Sequence, residues 1–387
     1  MKKIGKVCAA FGLSTSLAAS LLLGGCAKTD DGFGTSTELE RDIEEASADV
    51  GAAGDAEDAS AGNGTKEDGA EDSDGGLEEK ALNETVKVTL NEVAHSIFYA
   101  PMYVAIEEGY FAEEGIDLDL VCGYGADKVM TAVLSGEADI GFMGPETTIY
   151  AANEGANDQV VNFAQLTQRA GNFLVAREET DDFEWGNLTG KTVLGGREGG
   201  MPEMVFEYIL KQNGIDPDND LNIDKSIDFG STAAAFMSNT ADYTVEFEPY
   251  ATSLENEGAG YVVASLGVDS GYVPYTAFSA KSSFIEENPD VIQAFTNALQ
   301  KGMEYVGSHS AGEVSESIAA QFPDTDAESL ETIVARYLEQ DTWKSDLTFT
   351  EESYELLLDI LESAGQLTDR PAYEQLVTTL YAEKAAE

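Results

Sequence analysis

From residue 85 onward, the spacing of apolar positions switches repeatedly between two residues and three to four. In TVKVTLNEVA (85–94), Val86, Val88 and Leu90 alternate with polar residues and predict a strand. Pro101 then opens a segment with helical spacing, and glycines such as Gly136 end the segments of this kind. Repeated alternation of strands and helices predicts an α/β fold with parallel sheets and helices on both faces.

The same pattern begins again near residue 191, which indicates a second sheet. Further strands are predicted at IDLDLV (116–121), ADIGFM (138–143), QVVNFAQL (159–166), GNFLVARE (171–178), KTVLGG (191–196), SIDFG (226–230), DYTVEF (242–247) and GYVVASLG (260–267). Helices are predicted at 125–136, 144–155, 201–214, 232–240, 329–338 and 351–363.

The length of the folded region, about 300 residues, suits two lobes better than one core. We expect lobe 1 to comprise about 85–190 and 267–387, and lobe 2 about 191–266. The chain would then cross twice between Rossmann-like lobes. Two crossings form a hinge, and a hinge allows closure around a ligand.

The first 25 residues have the character of a signal peptide: lysines at the start, a short apolar run, and LGGC ending at Cys26. The order of these features resembles a bacterial lipobox, which would make Cys26 a lipidated N-terminus on the outer face of the cytoplasmic membrane. A plain cleaved signal with an incidental cysteine is the alternative. Residues 27–83 contain 18 acidic and 4 basic residues and few large apolar ones, so 26–84 is predicted to be a disordered tether.

Charge and cysteine content exclude several classes of function. A net charge of −52 disfavours nucleic acid, because phosphate binding needs clustered lysine and arginine. Cys122 is the single cysteine of the folded region, so neither a disulfide framework nor a cysteine-rich metal site is expected. DPDNDLNIDKSI (216–227) lacks the glycine and the final acid of a calcium loop, and GGREGG (195–200) lacks the lysine of a phosphate loop. No cofactor is expected.

Four segments carry a family resemblance: YAPMYVAIEEGYFAEEGIDLDLV, LSGEADIGFMGPE, LTGKTVLGGREGGMPEMVFEYILKQNGID and VEFEPYATSLENEG. They resemble the type II periplasmic-binding-protein family, in the branch with receptors for thiamine pyrimidines, sulfonates, nitrate and riboflavin. The resemblance covers about 85–322. It implies a monomeric, non-enzymatic lipoprotein that binds a small molecule between its lobes and delivers it to the permease of an ABC importer.

Four junctions between a strand and a helix are predicted to line the site: 95–101, 123–127, 143–147 and 197–203. Glycines let a ligand approach the backbone there, free helix N–H groups offer hydrogen bonds, and tyrosines supply stacking area. Each junction taken alone could instead be an ordinary turn. The ligand-binding residues expected at these junctions are Ser96, Phe98, Tyr99, Tyr124, Gly144, Glu146, Arg197, Gly200 and Met201.

In VEFEPY (245–250), Glu246 and Glu248 share one face of a strand end. The resemblance implies that one of them accepts a hydrogen bond from a ligand amino group; surface ion pairs are the alternative. Arg169 and Arg197 would instead suit an oxyanion.

Acids in the first turns of helices disfavour an anion there, so we expect a neutral or cationic heteroaromatic ligand. A sulfonate, nitrate or riboflavin receptor, an enzyme of pyrimidine synthesis and a sensor domain remain alternatives. His95 is expected to be a hydrogen-bonding loop residue rather than a reactive group.

Overall fold

Two five-stranded sheets organise the chain in a computed structural model, which describes residues 82, 84–180, 182–227, 229–238 and 240–387. These residues all belong to one unit, Gly76–Glu387. The predicted signal peptide, Cys26 and nearly all of the predicted tether lie outside the described residues. None of the helices in the described part of the chain is long and apolar enough to cross a membrane.

The strands follow the predicted pattern closely. They are β1 (Val86–Glu92), β2 (Ile116–Cys122), β3 (Ile140–Met143), β4 (Val160–Thr167), β5 (Asn172–Ala176), β6 (Thr192–Leu194), β7 (Asn222–Asp224), β8 (Tyr243–Phe247), β9 (Tyr261–Ser265) and β10 (Thr276–Lys281). SIDFG was predicted to be a strand, which is wrong: β7 ends at Asp224, and a helix begins at Phe229. A short β-like run next to a helical alanine segment carries too little periodicity to separate the two.

Helices connect and cover the strands. They are α1 (Ala100–Glu107), α2 (Tyr110–Glu113), α3 (Ala126–Ser135), α4 (Glu146–Asn153), α5 (Met201–Gln212), α6 (Phe229–Ser238), α7 (Tyr250–Asn256), α8 (Leu266–Asp269), α9 (Ser282–Glu287), α10 (Pro289–Ser308), α11 (Ala311–Ile318), α12 (Ala327–Glu339), α13 (Glu351–Ser363), α14 (Tyr373–Leu376) and α15 (Leu380–Ala385). Three short 3-10 segments lie at Ile97–Tyr99, Trp185–Leu188 and Ala319–Gln321.

The two sheets share one topology. The first has the order β2-β1-β3-β10-β4 and the second β7-β6-β8-β5-β9. In each sheet the fourth strand runs antiparallel to both of its neighbours. The sheets are therefore mixed rather than wholly parallel, which corrects the prediction. The antiparallel strand is in each case the one that directly follows a crossing between lobes.

The position of β5 also moves the predicted lobe boundary. β5 pairs with β8 and β9 of the second sheet, so the chain leaves the first sheet at 168–171 and not near 191. It returns between β9 and β10, at 266–275, close to the predicted second crossing. Lobe 2 is thus one continuous segment, 172–265. The prediction placed β5 in lobe 1 because sequence alternation does not reveal which sheet a strand joins.

The helices after β10 complete lobe 1 and also reach lobe 2. α12 packs on α11 and on the Ile97–Tyr99 turn, and the Tyr337 hydroxyl donates to the Gly171 carbonyl at 3.0 Å. α13 packs against α5 of lobe 2, and the Lys211 ammonium donates to the Ser363 carbonyl at 2.8 Å. The C-terminal helices therefore connect the two lobes beyond the two crossing segments.

Candidate functional site

The carboxyl ends of β1 and β3 bring two loops together at one edge of the first sheet. In parallel strands these ends face the same side, which is where ligands bind in open α/β sheets. After β1, Ser96 caps the Ile97–Tyr99 turn by accepting from the backbone N–H of Phe98. After β3, Gly144 and Pro145 lead directly into α4, whose first residue is Glu146.

Glu146 is buried, with 4% of its surface exposed, and its Oε2 atom has no hydrogen-bond partner. Its carboxyl group folds back over the preceding loop, so that a Cβ added to Gly144 would lie 2.1 Å from Oε2. Only glycine at position 144 leaves room for this carboxyl. A buried carboxyl oxygen without a partner is costly, so Glu146 is a candidate binding group.

Three further residues surround this corner. The Tyr99 ring packs edge-on against Phe142, with a centroid distance of 4.6 Å. The Tyr275 hydroxyl donates to Asn172 Oδ1 at 2.7 Å, and both residues are buried. The Nδ2 atom of Asn172 has no partner. Asn172 begins β5 and Tyr275 precedes β10, so both crossings between the lobes contribute to the corner. We call Tyr99, Glu146, Asn172 and Tyr275 the junction cluster.

The junction cluster is a low-dielectric environment. Burial raises the pKa of Glu146 to about 8, opposed only by a hydrogen bond from its own backbone N–H. Burial also raises the pKa of Tyr99 and of Tyr275, and the neighbouring Glu146 contributes to both shifts. The cluster therefore presents neutral phenols and a carboxyl group that remains protonated at neutral pH.

The predicted residues Ser96 and Phe98 lie beside this corner but are engaged by the protein. Phe98 is fully buried and contacts the rings of Tyr99, Phe247, Tyr275 and Tyr337. Phe98 therefore belongs to the same buried group of aromatic rings as Tyr99 and Tyr275. Ser96 bridges the lobes, because its hydroxyl donates to the Glu248 carbonyl at 3.4 Å.

The contacts of the two predicted arginines lie with residues other than the four of the junction cluster. Arg169 lies in the first crossing, where its guanidinium donates to the Gly267 carbonyl at 2.9 Å and stacks over the Tyr272 ring at 4.3 Å. Arg197 is exposed on the loop before α5. Gly200 caps α5, and Met201 is its buried first residue. The Tyr150 hydroxyl, on α4, donates to the Gly199 carbonyl at 3.5 Å, so α4 touches this loop.

Glu246 and Glu248 are both buried, and other groups of the protein already donate hydrogen bonds to their carboxyl oxygens. Glu246 accepts from the hydroxyls of Thr232 (2.9 Å) and Thr244 (2.6 Å). Burial raises its pKa to about 7, and the two threonine bonds oppose the shift. Its carboxyl needs no ligand to be satisfied.

Glu248 follows β8 and pairs across the lobes with α12. Its Oε1 atom accepts from Arg336 at 2.5 Å, and its Oε2 atom from the backbone N–H of Thr252 at 2.9 Å. Arg336 also bonds Glu255 at 2.8 Å. Glu248 is buried and Arg336 is 24% exposed, so the ion-pair alternative expected from the sequence holds for Glu248, with the pair lying between the lobes rather than fully at the surface. Each of its two oxygens therefore already has a partner within the protein.

Tyr124 and His95 line a separate groove of about 450 Å³ beside β2. Tyr124 is 76% exposed and holds a left-handed backbone with φ of 55°. His95 Nε2 donates to the Gln321 carbonyl at 3.0 Å, and His95 Nδ1 is hydrogen-bonded to Glu92 Oε1 at 2.8 Å. The hydrogen bond to Glu92 raises the pKa of His95. The prediction of a hydrogen-bonding histidine is confirmed by these contacts.

Asn172 and Tyr275 are the members of the junction cluster that sequence reasoning missed. Asn172 is the first residue of β5 and Tyr275 ends the second crossing, just before β10, and both strands are antiparallel in their sheets. A polar residue at the start of an otherwise apolar strand (NFLVA) was the available signal for Asn172.

Comparison with known proteins identifies the family. The family model described as NMT1/THI5 like matches residues 97–311, more than half of the chain. The chain belongs to the NMT1/THI5-like family. This family segment contains the whole junction cluster.

Two relatives and one solved structure illustrate the range of the similarity. The chain is 47% identical to the provisionally named binding protein YtlA of Bacillus subtilis (strain 168), over 77% of this chain and 89% of the relative. It is 26% identical to the formylaminopyrimidine-binding protein of Halalkalibacterium halodurans, over 58% and 66% of the two chains. The alkanesulfonate-binding protein SsuA from Xanthomonas axonopodis pv. citri, bound to MOPS, superposes with a TM-score of 0.63 at 13% identity, covering 77% and 100%. This last similarity confirms the two-lobed binding-protein fold.

Proposed function

We propose that this NMT1/THI5-like protein is the solute-binding component of an ABC importer, and that it holds a small heteroaromatic molecule between its two lobes. The observation that carries the proposal is the junction cluster. Its polar groups have unmet hydrogen-bonding capacity at the point where both lobes and both crossings meet. A binding function is also what the names of YtlA and the formylaminopyrimidine-binding protein state for those relatives.

The chemistry of the cluster favours a flat, uncharged or positive ring over an oxyanion. Tyr99 and Tyr275 supply aromatic surface, and Glu146 and Asn172 supply an unpartnered carboxyl oxygen and an unpartnered amide. A sulfonate or nitrate would need a cation. Neither predicted arginine is a member of the junction cluster: Arg169 lies in the first crossing, where it bonds Gly267, and Arg197 lies exposed on the loop before α5.

In this proposal the protein binds without making or breaking bonds. Ligand enters when the lobes separate at the crossing segments and is enclosed when they close, because the closed form makes more contacts with it. A lipid on Cys26 and the acidic tether would hold the monomeric protein near its permease at the outer face of the membrane.

A thermal-shift screen tests the proposal. The purified mature protein is heated with aminopyrimidines, nucleobases, flavins, taurine, MOPS or nitrate at about 1 mM each. A ligand present at 100 times its Kd stabilises the folded state by about 2.7 kcal/mol, which gives a clear rise in Tm. We expect aminopyrimidines to raise the Tm and sulfonates and nitrate to leave it unchanged. Stabilisation by an oxyanion alone would contradict the proposed ligand class.

A further inference from the structure

We propose that Glu146 recognises the ligand as a neutral carboxylic acid, donating its proton to a ring nitrogen or carbonyl oxygen and accepting from an adjacent N–H of the same ring. The ligand class is then an uncharged planar heterocycle with neighbouring acceptor and donor atoms on one edge. This inference rests on the proposed function and names the residue that sets its specificity.

Geometry carries the first step. A protonated carboxyl has one donor and one acceptor on adjacent oxygens, which matches an aminopyrimidine or cyclic amide edge with two parallel hydrogen bonds. The Oε2 atom of Glu146 is buried and unpartnered, so it is available for one of them. The Asn172 amide provides an independent unpartnered donor in the same cluster. The site therefore shows two buried polar groups that the protein leaves open.

The surroundings of Glu146 keep it uncharged. Tyr99 faces it from the turn after β1, Tyr275 from the segment before β10, and Tyr150 from its own helix. Glu203 of α5 lies near Tyr150, and Glu92 and Cys122 lie near Tyr99. All of these groups are neutral or acidic. In the described part of the chain no lysine, arginine or histidine contributes to the pKa of Glu146.

This arrangement predicts which ligands are rejected. An anion would meet a buried acid and two phenols without a compensating cation. A permanently cationic ring lacks the acceptor atom that the Glu146 proton requires, so it would have to ionise Glu146 at the cost of a buried charge. An uncharged ring keeps both hydrogen bonds without separating charge.

The test measures affinity against pH for four proteins by calorimetry: wild type, Glu146→Gln, Glu146→Leu and Glu246→Gln. The probe is 4-amino-5-hydroxymethyl-2-methylpyrimidine, with uracil as a cyclic-amide probe. For the wild type we expect constant affinity between pH 6.5 and 7.5 and a loss above pH 8 that approaches tenfold per pH unit. Glu146→Gln keeps one donor and one acceptor at this position, so it should bind about as tightly as the wild type at pH 7 and show no fall above pH 8. Glu146→Leu removes both hydrogen-bonding atoms and should lose at least about tenfold affinity at pH 7.

Glu246→Gln is the matched control, because it removes a buried glutamate whose oxygens already have partners. It should keep both the affinity and the pH profile of the wild type. Equal affinity of Glu146→Leu and wild type would overturn the inference while leaving the proposed function intact. A fall above pH 8 that persists in Glu146→Gln, or a wild-type affinity that rises above pH 8, would overturn it as well. Failure of every probe in the screen and the titrations to bind the wild type would reject both proposals.

Infrared difference spectra of the unliganded protein provide a readout independent of any probe. The C=O stretching band of a protonated carboxyl should be present in the wild type at pH 7, weaken above pH 8, and lose one component in Glu146→Gln. Its absence at pH 7 would overturn the inference.

Discussion

Glu146 in lobe 1 and Glu246 in lobe 2 are both buried glutamates whose pKa burial raises, yet the protein treats them differently. Two threonine hydroxyls satisfy Glu246, whereas Glu146 keeps one oxygen without a partner. Burial alone therefore does not distinguish a structural acid from a binding acid. The distinction lies in whether the fold supplies the hydrogen bonds or leaves them to a ligand.

Glu248 is a third buried acid, and it joins the two lobes through its ion pair with Arg336 of α12. We expect Arg336→Met to lower the free energy of unfolding by about 3–5 kcal/mol, since Glu248 would remain buried without its cationic partner. Urea denaturation at pH 7 measures the loss. Lys87→Met removes the exposed pair with Asp119 and should leave the free energy of unfolding nearly unchanged, because solvent screens this pair. A similar small loss for Arg336→Met would show that Glu248 is not a structural acid.

Glu146 should make the protein less stable as the pH rises. The pKa of Glu146 is about 8 in the folded protein, against an ordinary value of 4.5. Between about pH 5 and pH 8 this group is therefore ionised in the unfolded chain but not in the folded one, which stabilises the unfolded state relative to the folded state. The loss of stability amounts to at most about 4 kcal/mol.

Urea titrations of wild type and Glu146→Gln at pH 5 and pH 8 isolate this contribution. The variant should be the more stable protein at pH 8 and should differ less from wild type at pH 5. Parallel pH profiles of the two proteins would contradict a neutral Glu146.

Gly144 tests the position of the Glu146 carboxyl without changing its chemistry. In Gly144→Ala the new Cβ would occupy the space of Oε2, so the flexible carboxyl must rotate away. We expect about a tenfold loss of affinity, or ~1.4 kcal/mol, for whichever ring binds in the thermal-shift screen. Gly230→Ala, in α6 with open space around it, is the control and should bind normally. Unchanged affinity of Gly144→Ala would show that ligand binding does not depend on the position of the Glu146 carboxyl.

Glu246→Gln should give the smallest effect. The amide can accept from one threonine hydroxyl but meets the other with its NH₂ group, so about 1 kcal/mol of stability should be lost at pH 5. Ligand affinity by calorimetry should change by less than a factor of two. A large loss of affinity would indicate that Glu246 also binds the ligand, and the proposed difference between Glu246 and Glu146 would then be wrong.

The sequence was sufficient for most of the architecture. Period-two and helical spacing predicted β1, β2, α3 and α13 nearly to the residue, because these elements pack one face against a core and carry the matching pattern. Sheet membership was not predictable in the same way. β5 reads as one more apolar strand, and only its pairing with β8 and β9 places it in lobe 2.

The site was partly predictable for a related reason. The junction of β3 and α4 was recognisable from MGPET, and Tyr99 from its loop. Whether each acid has hydrogen-bond partners within the protein was not predictable, because the partners are distant in sequence. Arg336 lies 88 residues from Glu248, and Thr232 lies 14 residues from Glu246. The local alternation in VEFEPY suggested that its two acids were available to a ligand. In the structure, residues from other parts of the chain hydrogen-bond to both of them.

The continuity of lobe 2 has a consequence for protein engineering. Its first and last strands, β5 and β9, are hydrogen-bonded neighbours, with Phe173 opposite Ser265, so the segment enters and leaves at one place. It is an insertion with adjoining ends, and such a segment can be exchanged for the equivalent part of a homologue without rerouting the rest of the polypeptide. A successful graft would also have to supply acids facing Arg336 at the α12 contact, which makes that contact the compatibility requirement for hybrid receptors.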